Sequence, residues 1–466
     1  MRAAAAAWLC ALPLLGAVPA LADGGLQSAY VVLGDGGAIQ ARAIVDGPAC
    51  PDIRIDGRRR PMGVRAAPAA LSQRPTASAP QNAKPSDFPV LTCEARVPGM
   101  ARRAEIAGRR LPLPPGRIDR IVVIGDTGCR IKIADKAFQA CNDPRQWPFA
   151  AIAARAAAWK PDVVLHVGDY LYRENACPAD QAGCQGSPWG YGWDAWRADF
   201  FDPAAPLLKA APWILVRGNH ENCARAGQGW WRMLEAAPLR PGRDCNEAKD
   251  DVVGDYAPPY AVPLGGRSRV VVLDLAIAPG KVMKPGDPRA AQFDDAYAHL
   301  AHWSALGGFT FMATHKPILG FAAEQHEGAV QLRPGTESIQ AVFGAGGRPL
   351  LPQGVDVLLA GHVHLWQQVG FSSDHPSQLI AGFSGTQEDI VPMPARLPAG
   401  AVPAPGAIPD AFSSWIDGFG WMTLERAGPD RWRVQVRNVS GEIVNRCEIR
   451  GRRSHCERDQ VPPAAK

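Results

Sequence analysis

Five apolar runs in this chain each end in a short block of Asp, Asn or His, and this recurrence restricts the fold more than any other feature. IDRIVVIGD ends at Asp126 in GDTG, and DVVLHVGD ends at Asp169 in GDYLY. PWILVRGNH ends at Asn219 and His220 in GNHE. The runs at 309–313 and 355–360 lead into His315 in ATHKP and into His362 and His364 in GHVH. Short apolar runs closed by glycine read as buried strands. The Ala-rich stretch 147–159 and the stretch 194–208 read as helices between the first three strands, and a further helix is expected over 288–306. The order β-α-β-α-β predicts a largely parallel sheet covered by helices. In such sheets, ligands bind beyond the carboxyl ends of the strands. Five blocks at five strand ends therefore predict one shared site.

The donor set is specific in its chemistry. Asp126, Asp169 and Asn219 supply oxygens, His315, His362 and His364 supply imidazoles, and Tyr172 supplies a phenol. This mixture suits hard or borderline divalent and trivalent metals. Two such ions about 3.5–4 Å apart neutralise a phosphoryl group and lower the pKa of water. Taken singly, each block has a plainer reading. G-D pairs make turns, an Asn caps helices, and histidines pack in cores. All five together, in order and at strand ends, point to a metal site.

The rest of the chain supplies context. In 466 residues, 50 Lys and Arg against 45 Asp and Glu leave a net charge of +5, with no long basic run. No nucleic-acid-binding surface is evident. Residues 1–22 read as an export signal, with Arg2, an apolar stretch and an Ala20-Leu21-Ala22 cleavage site. No other run is long enough to span a bilayer. Ten cysteines follow the signal, an even number that reads as disulfides in an exported chain. Neighbours fall into the couples Cys50–Cys93, Cys129–Cys141, Cys177–Cys184, Cys223–Cys245 and Cys447–Cys456, although sequence alone leaves connectivity open. Residues 23–115 form a small, mainly β opening section with an irregular Pro/Ala/Ser-rich loop at 61–88. A second Pro/Ala-rich loop is expected at 391–414, and alternating strands at 421–449. The aromatic residues Trp189, Tyr191, Trp193, Trp196, Trp230 and Trp231 could rim a leaving-group pocket, but core packing is the safer reading.

As a set, the five blocks resemble the signature of the calcineurin-like metallophosphoesterases over roughly residues 118–390. The Tyr three residues after the second Asp, in GDYLY, makes the chain similar to the purple acid phosphatases in particular. The resemblance implies a four-layer α-β-β-α sandwich over 116–450, followed by a tail at 451–466. It implies that Asp126, Asp169, Tyr172 and His364 hold Fe(III). It also implies that Asp169, Asn219, His315 and His362 hold a second ion, Fe(II), Zn(II) or Mn(II), with Asp169 bridging. His220 would contact the phosphate and stabilise the leaving oxygen. His326, eleven residues after His315, would be a proton donor; its other reading is an exposed loop histidine. The implied reaction is hydrolysis of a small-molecule phosphomonoester. A phosphodiesterase is the alternative, and a non-catalytic phosphate- or metal-binding protein is the alternative of another class.

Overall fold

The computed structural model describes residues 25–74, 79–387, 391, 393–394 and 396–460. The export signal expected at 1–22 lies outside them. The first three block-bearing strands, Arg120–Ile124, Val163–His166 and Trp213–Leu215, are parallel neighbours in an 11-stranded sheet. The other two, Thr310–Ala313 and Val357–Ala360, are parallel neighbours in a seven-stranded sheet.

Alternation along the second sheet explains why its strands read as continuous apolar runs. Val270, Val272, Phe311, Ala313, Val357 and Leu359 pack in one core with residues of the first sheet. Val271, Met312 and Leu358, the intervening residues, pack with Phe293, Ala296 and Leu300 of helix Pro288–Ala305. A strand buried on both faces has no polar side to show. Helices Phe149–Ala158 and Asp202–Ala210 pack together on the first sheet, against Gly420–Arg426 and Leu26–Leu33 respectively. The result is the expected sequence of helix, sheet, sheet and helix.

The opening section is mainly strands, as expected, and it shares the main core. Leu26–Leu33 runs parallel to Trp213–Leu215, and Ile39–Val45, Leu91–Val97 and Gly63–Ala66 follow outward in the same sheet. At the opposite edge, Gly420–Arg426, Arg431–Asn438, Ile443–Arg450 and Arg453–Cys456 extend it antiparallel.

Two expected loops are more ordered than their composition suggested. The stretch 61–88 contains the strands Gly63–Ala66, Ala69–Leu71 and Ser86–Phe88. Pro409–Trp415, which overlaps the end of the loop expected at 391–414, pairs with Trp366–Phe371. Short strands of small residues carry little hydrophobic periodicity, so pairing partners distant in sequence decide them.

The five disulfides join the expected couples. Such a set fits an oxidising compartment. Among the described residues, no helix is long and apolar enough to cross a membrane. The aromatic run is chiefly core, with Tyr191, Trp193, Trp196, Trp230 and Trp231 all buried.

Candidate metal centre

The five blocks meet where the carboxyl ends of the two sheets face each other. Each chain reverses sharply as it leaves its strand. Asp126, Asp169 and His362 adopt left-handed backbone angles, with φ of 54°, 61° and 73°. Such angles are costly for residues other than glycine and cluster at functional sites. The glycines of the blocks permit the close approach. A side chain on Gly218 would sit 2.0 Å from Asp169 Oδ1, and one on Gly361 would sit 2.5 Å from Asp126 Oδ2.

Backbone groups then fix the donors. The amide of His362 donates to Asp126 Oδ2 at 2.9 Å, and that of His220 donates to Asp169 Oδ1 at 2.9 Å. One oxygen of each carboxylate is thereby held, and the other faces the cluster. His315 Nδ1 donates to the Val167 carbonyl at 2.9 Å and His364 Nδ1 to the Gln387 carbonyl at 2.8 Å. A ring nitrogen committed to a carbonyl leaves Nε2 as the ligating atom.

The free atoms converge. Tyr172 Oη lies 2.6 Å from Asp169 Oδ2, 3.2 Å from Asp126 Oδ1 and 2.9 Å from His364 Nε2. His315 Nε2 lies 3.0 Å from Asn219 Oδ1 and 3.2 Å from Asp169 Oδ2. Asp169, His315 and His362 offer ligand atoms all within 4.8 Å of one another. The sequence-predicted ligands are thus together, with Asp169 common to both groups.

The electrostatics fit a metal. Asp126 and Asp169 are buried, and among the described residues no Lys or Arg lies within ion-pair distance of either. Burial raises the Asp126 carboxyl. Burial opposes a charged His315, but the neighbouring Asp169 carboxylate prevails and lifts its pKa to about 9. Two buried carboxylates that draw a proton onto an imidazole are short of positive charge, which a metal ion supplies. A second cluster of metal-ligand types, Cys223, Cys245 and Asp255, is of another kind, because its cysteines form a disulfide.

His220 occupies a different position. Its ring lies over the Tyr172 ring, with centroids 3.7 Å apart, and its Nε2 is 3.9 Å from Asp169 Oδ2. Its Nδ1 is 3.0 Å from Glu174 Oε1. Arg225 also touches Nδ1 while its guanidinium pairs with both oxygens of Glu174; a guanidinium only donates, so Nδ1 accepts and the ring proton sits on Nε2, facing the cluster. Burial, reinforced by the Arg225 charge, pulls His220 to about 4. His326 ends the strand Ala322–His326, whose backbone pairs with Ala329–Arg333 across a tight turn at Glu327 and Gly328.

Several supporting residues had no assigned role in the sequence. Glu221, the last letter of GNHE, accepts from the amides of Tyr170, Leu171, Asp169 and Gly218 at 2.9–3.2 Å. It ties the second block to the third. Asp199 accepts from the Tyr172 amide at 2.7 Å and the Cys129 amide at 3.1 Å, tying the first block to the second. A charged residue inside the aromatic stretch 189–201 was a usable signal for Asp199, and a Glu three residues after Gly218 was one for Glu221. The loop after Phe383 supports the site through its backbone, since the Thr386 amide donates to the Asp126 carbonyl at 2.8 Å.

A family model, calcineurin-like phosphoesterase, matches residues 119–365. No curated protein sequence gives a match. Among solved structures, the chain is similar to a purple acid phosphatase, PPD1, from yellow lupin (Lupinus luteus) seeds. The identity is 14% and the TM-score 0.51, covering 92% of this chain and 73% of that one. It is also similar to PhoD, with 12% identity and a TM-score of 0.53, covering 94% and 93%. At these identities the likeness is one of fold.

Proposed function

Because the chain belongs to the calcineurin-like phosphoesterase family and so is a hydrolase of phosphoric esters, we propose that it is an exported phosphatase hydrolysing phosphomonoesters at a dinuclear metal centre. Asp126, Asp169, Tyr172 and His364 would hold one ion, Fe(III). Asp169, Asn219, His315 and His362 would hold the other, Fe(II), Zn(II) or Mn(II). When bound, such a pair supplies charge neutralisation for the phosphoryl group and a lowered pKa for water.

The observation that supports this reading most is the position of the Tyr172 hydroxyl among Asp126, Asp169 and His364. The fold likeness to a purple acid phosphatase agrees with it. His220 has Glu174 behind its Nδ1 and turns Nε2 toward the cluster. In this reading it binds the phosphate and assists departure of the alcohol oxygen. Glu174 is a positioning residue that holds the Arg225 guanidinium against Nδ1 and so keeps the ring proton on Nε2. Glu174→Gln is expected to lower kcat about tenfold to a hundredfold, with metal content unchanged. Loss of metal instead would make Glu174 part of the ligand scaffold. His326 would help protonate poor leaving groups. His326→Ala is therefore expected to slow alkyl esters more than 4-nitrophenyl phosphate. An equal effect on both would leave it without a part in the reaction.

The function is tested by kcat/KM on 4-nitrophenyl phosphate and bis(4-nitrophenyl) phosphate at acidic and neutral pH, with and without added metals. Preference for the monoester is expected; preference for the diester would make the protein a phosphodiesterase. Iron coordination by Tyr172 has its own signature. The iron-loaded protein should be pink or purple and Tyr172→Phe colourless. A colourless, active, iron-loaded wild type would refute the tyrosinate ligand.

A further inference from the structure

We propose that the hollow beside Asn219 is the leaving-group subsite and that it selects phosphate esters whose alcohol carries a second anionic group, recognised by Lys316 and Lys284. This rests on the phosphoesterase reading above. The hollow has a volume of about 810 Å³. Asn219, Arg225 and Lys316 line it, which makes it continuous with the metal-ligand cluster, and Lys284 and Asp255 contribute to its wall. Lys316 also borders a smaller hollow that His362 lines. It thus stands between residues proposed to hold the second ion.

What distinguishes this wall is which charges are already matched. Arg225 is paired with Glu174, Arg289 with Asp287, and Asp251 with Arg74. Among the described residues, neither Lys316 nor Lys284 has a carboxylate within ion-pair distance. Lys316 is partly buried, and its Nζ donates to the Ala278 carbonyl at 2.6 Å. An ammonium has three N–H donors, so this bond leaves two. A purely structural lysine would pin the 276–279 segment in the same way, but that role leaves Lys284 in the same hollow unexplained. Asp255 is the one remaining carboxyl in the wall, and it accepts from the Cys223 amide at 2.6 Å. Two unmatched ammonium groups against one carboxyl favour an anion. Partial burial of Lys316 with no carboxylate within ion-pair distance is costly, and an arriving carboxylate or second phosphate offsets that cost.

Three alkyl esters of graded charge test this: 3-phosphoglycerate, glycerol 3-phosphate and O-phosphoethanolamine. We expect kcat/KM to be highest for 3-phosphoglycerate, about tenfold above glycerol 3-phosphate, and lowest for O-phosphoethanolamine. Lys316→Gln and Lys284→Gln should each shrink the preference, chiefly through KM. Lys284 is exposed, so its variant keeps the test valid if Lys316→Gln fails to fold. A second readout needs no turnover. Calorimetric titration of the metal-depleted protein with 3-phosphoglycerate should show weaker binding in the Lys284→Gln variant. Equal kcat/KM for the carboxylate and neutral esters, or a preference that survives both substitutions, overturns the subsite while leaving the phosphatase intact. Failure to hydrolyse any phosphate ester, the aryl monoester and diester included, removes the phosphoesterase reading itself.

Discussion

Asp169→Ala is expected to strip the protein of metal and to lower kcat/KM by roughly a thousandfold or more. Asp169 stands in both proposed ligand groups, 2.6 Å from Tyr172 Oη and 3.2 Å from His315 Nε2 through Oδ2. Its Oδ1 holds the His220 amide at 2.9 Å. Removing it would therefore lose a ligand to each ion, free the His220 amide, and leave the His315 imidazole without the carboxylate that lifts its pKa. The fold should survive, because the two cores and five disulfides lie largely outside the site. Metal analysis and circular dichroism on the same sample check this. A folded variant that keeps both ions would show that Asp169 is not their shared ligand.

His220→Ala should behave in the opposite way toward metal. Asn219, not His220, contributes its side chain to the ligand cluster, through Oδ1 at 3.0 Å from His315 Nε2. The variant is expected to keep both ions and to lose about 10²–10⁴-fold in kcat, the range for a positioned acid or hydrogen-bond donor. The loss should be larger for alkyl than for 4-nitrophenyl esters, because a good leaving group needs less help. The Glu174–Arg225 pair is already balanced, so removing the imidazole leaves no unmatched buried charge. Loss of metal from a folded His220→Ala protein would mean that the histidine is itself a ligand.

The fold's centre was legible because its physics is local. Each strand of the parallel core is buried on both faces, so it reads as an unbroken apolar run, and each run ends in residues that serve no packing purpose there. Asp126 and Asp169 were therefore readable without a structure, whereas the coupling of close cysteines such as Cys177 and Cys184 needed it to close the connectivity. The strands at the sheet margin were not. Gly63–Ala66 and Pro409–Trp415 owe their conformation to partners distant in the chain, Leu91–Val97 and Trp366–Phe371. The supporting carboxylates were missed for the same reason. Glu174, Asp199 and Glu221 take their roles from contacts with His220, Cys129 and Tyr170, and their own surroundings in sequence record little of this. Their burial is the trace they leave: an acidic side chain in an aromatic segment must have a partner.

Two metal ions at one site drawn from five strand ends can be counted per chain. Elemental analysis of the purified, active wild type, beside Asp169→Ala and Tyr172→Phe, should give two equivalents of metal for the wild type, iron among them. It should give a clear loss for Asp169→Ala and retention of the second ion in Tyr172→Phe. One equivalent or none in a preparation that turns over phosphate esters at full rate would rule out a dinuclear site.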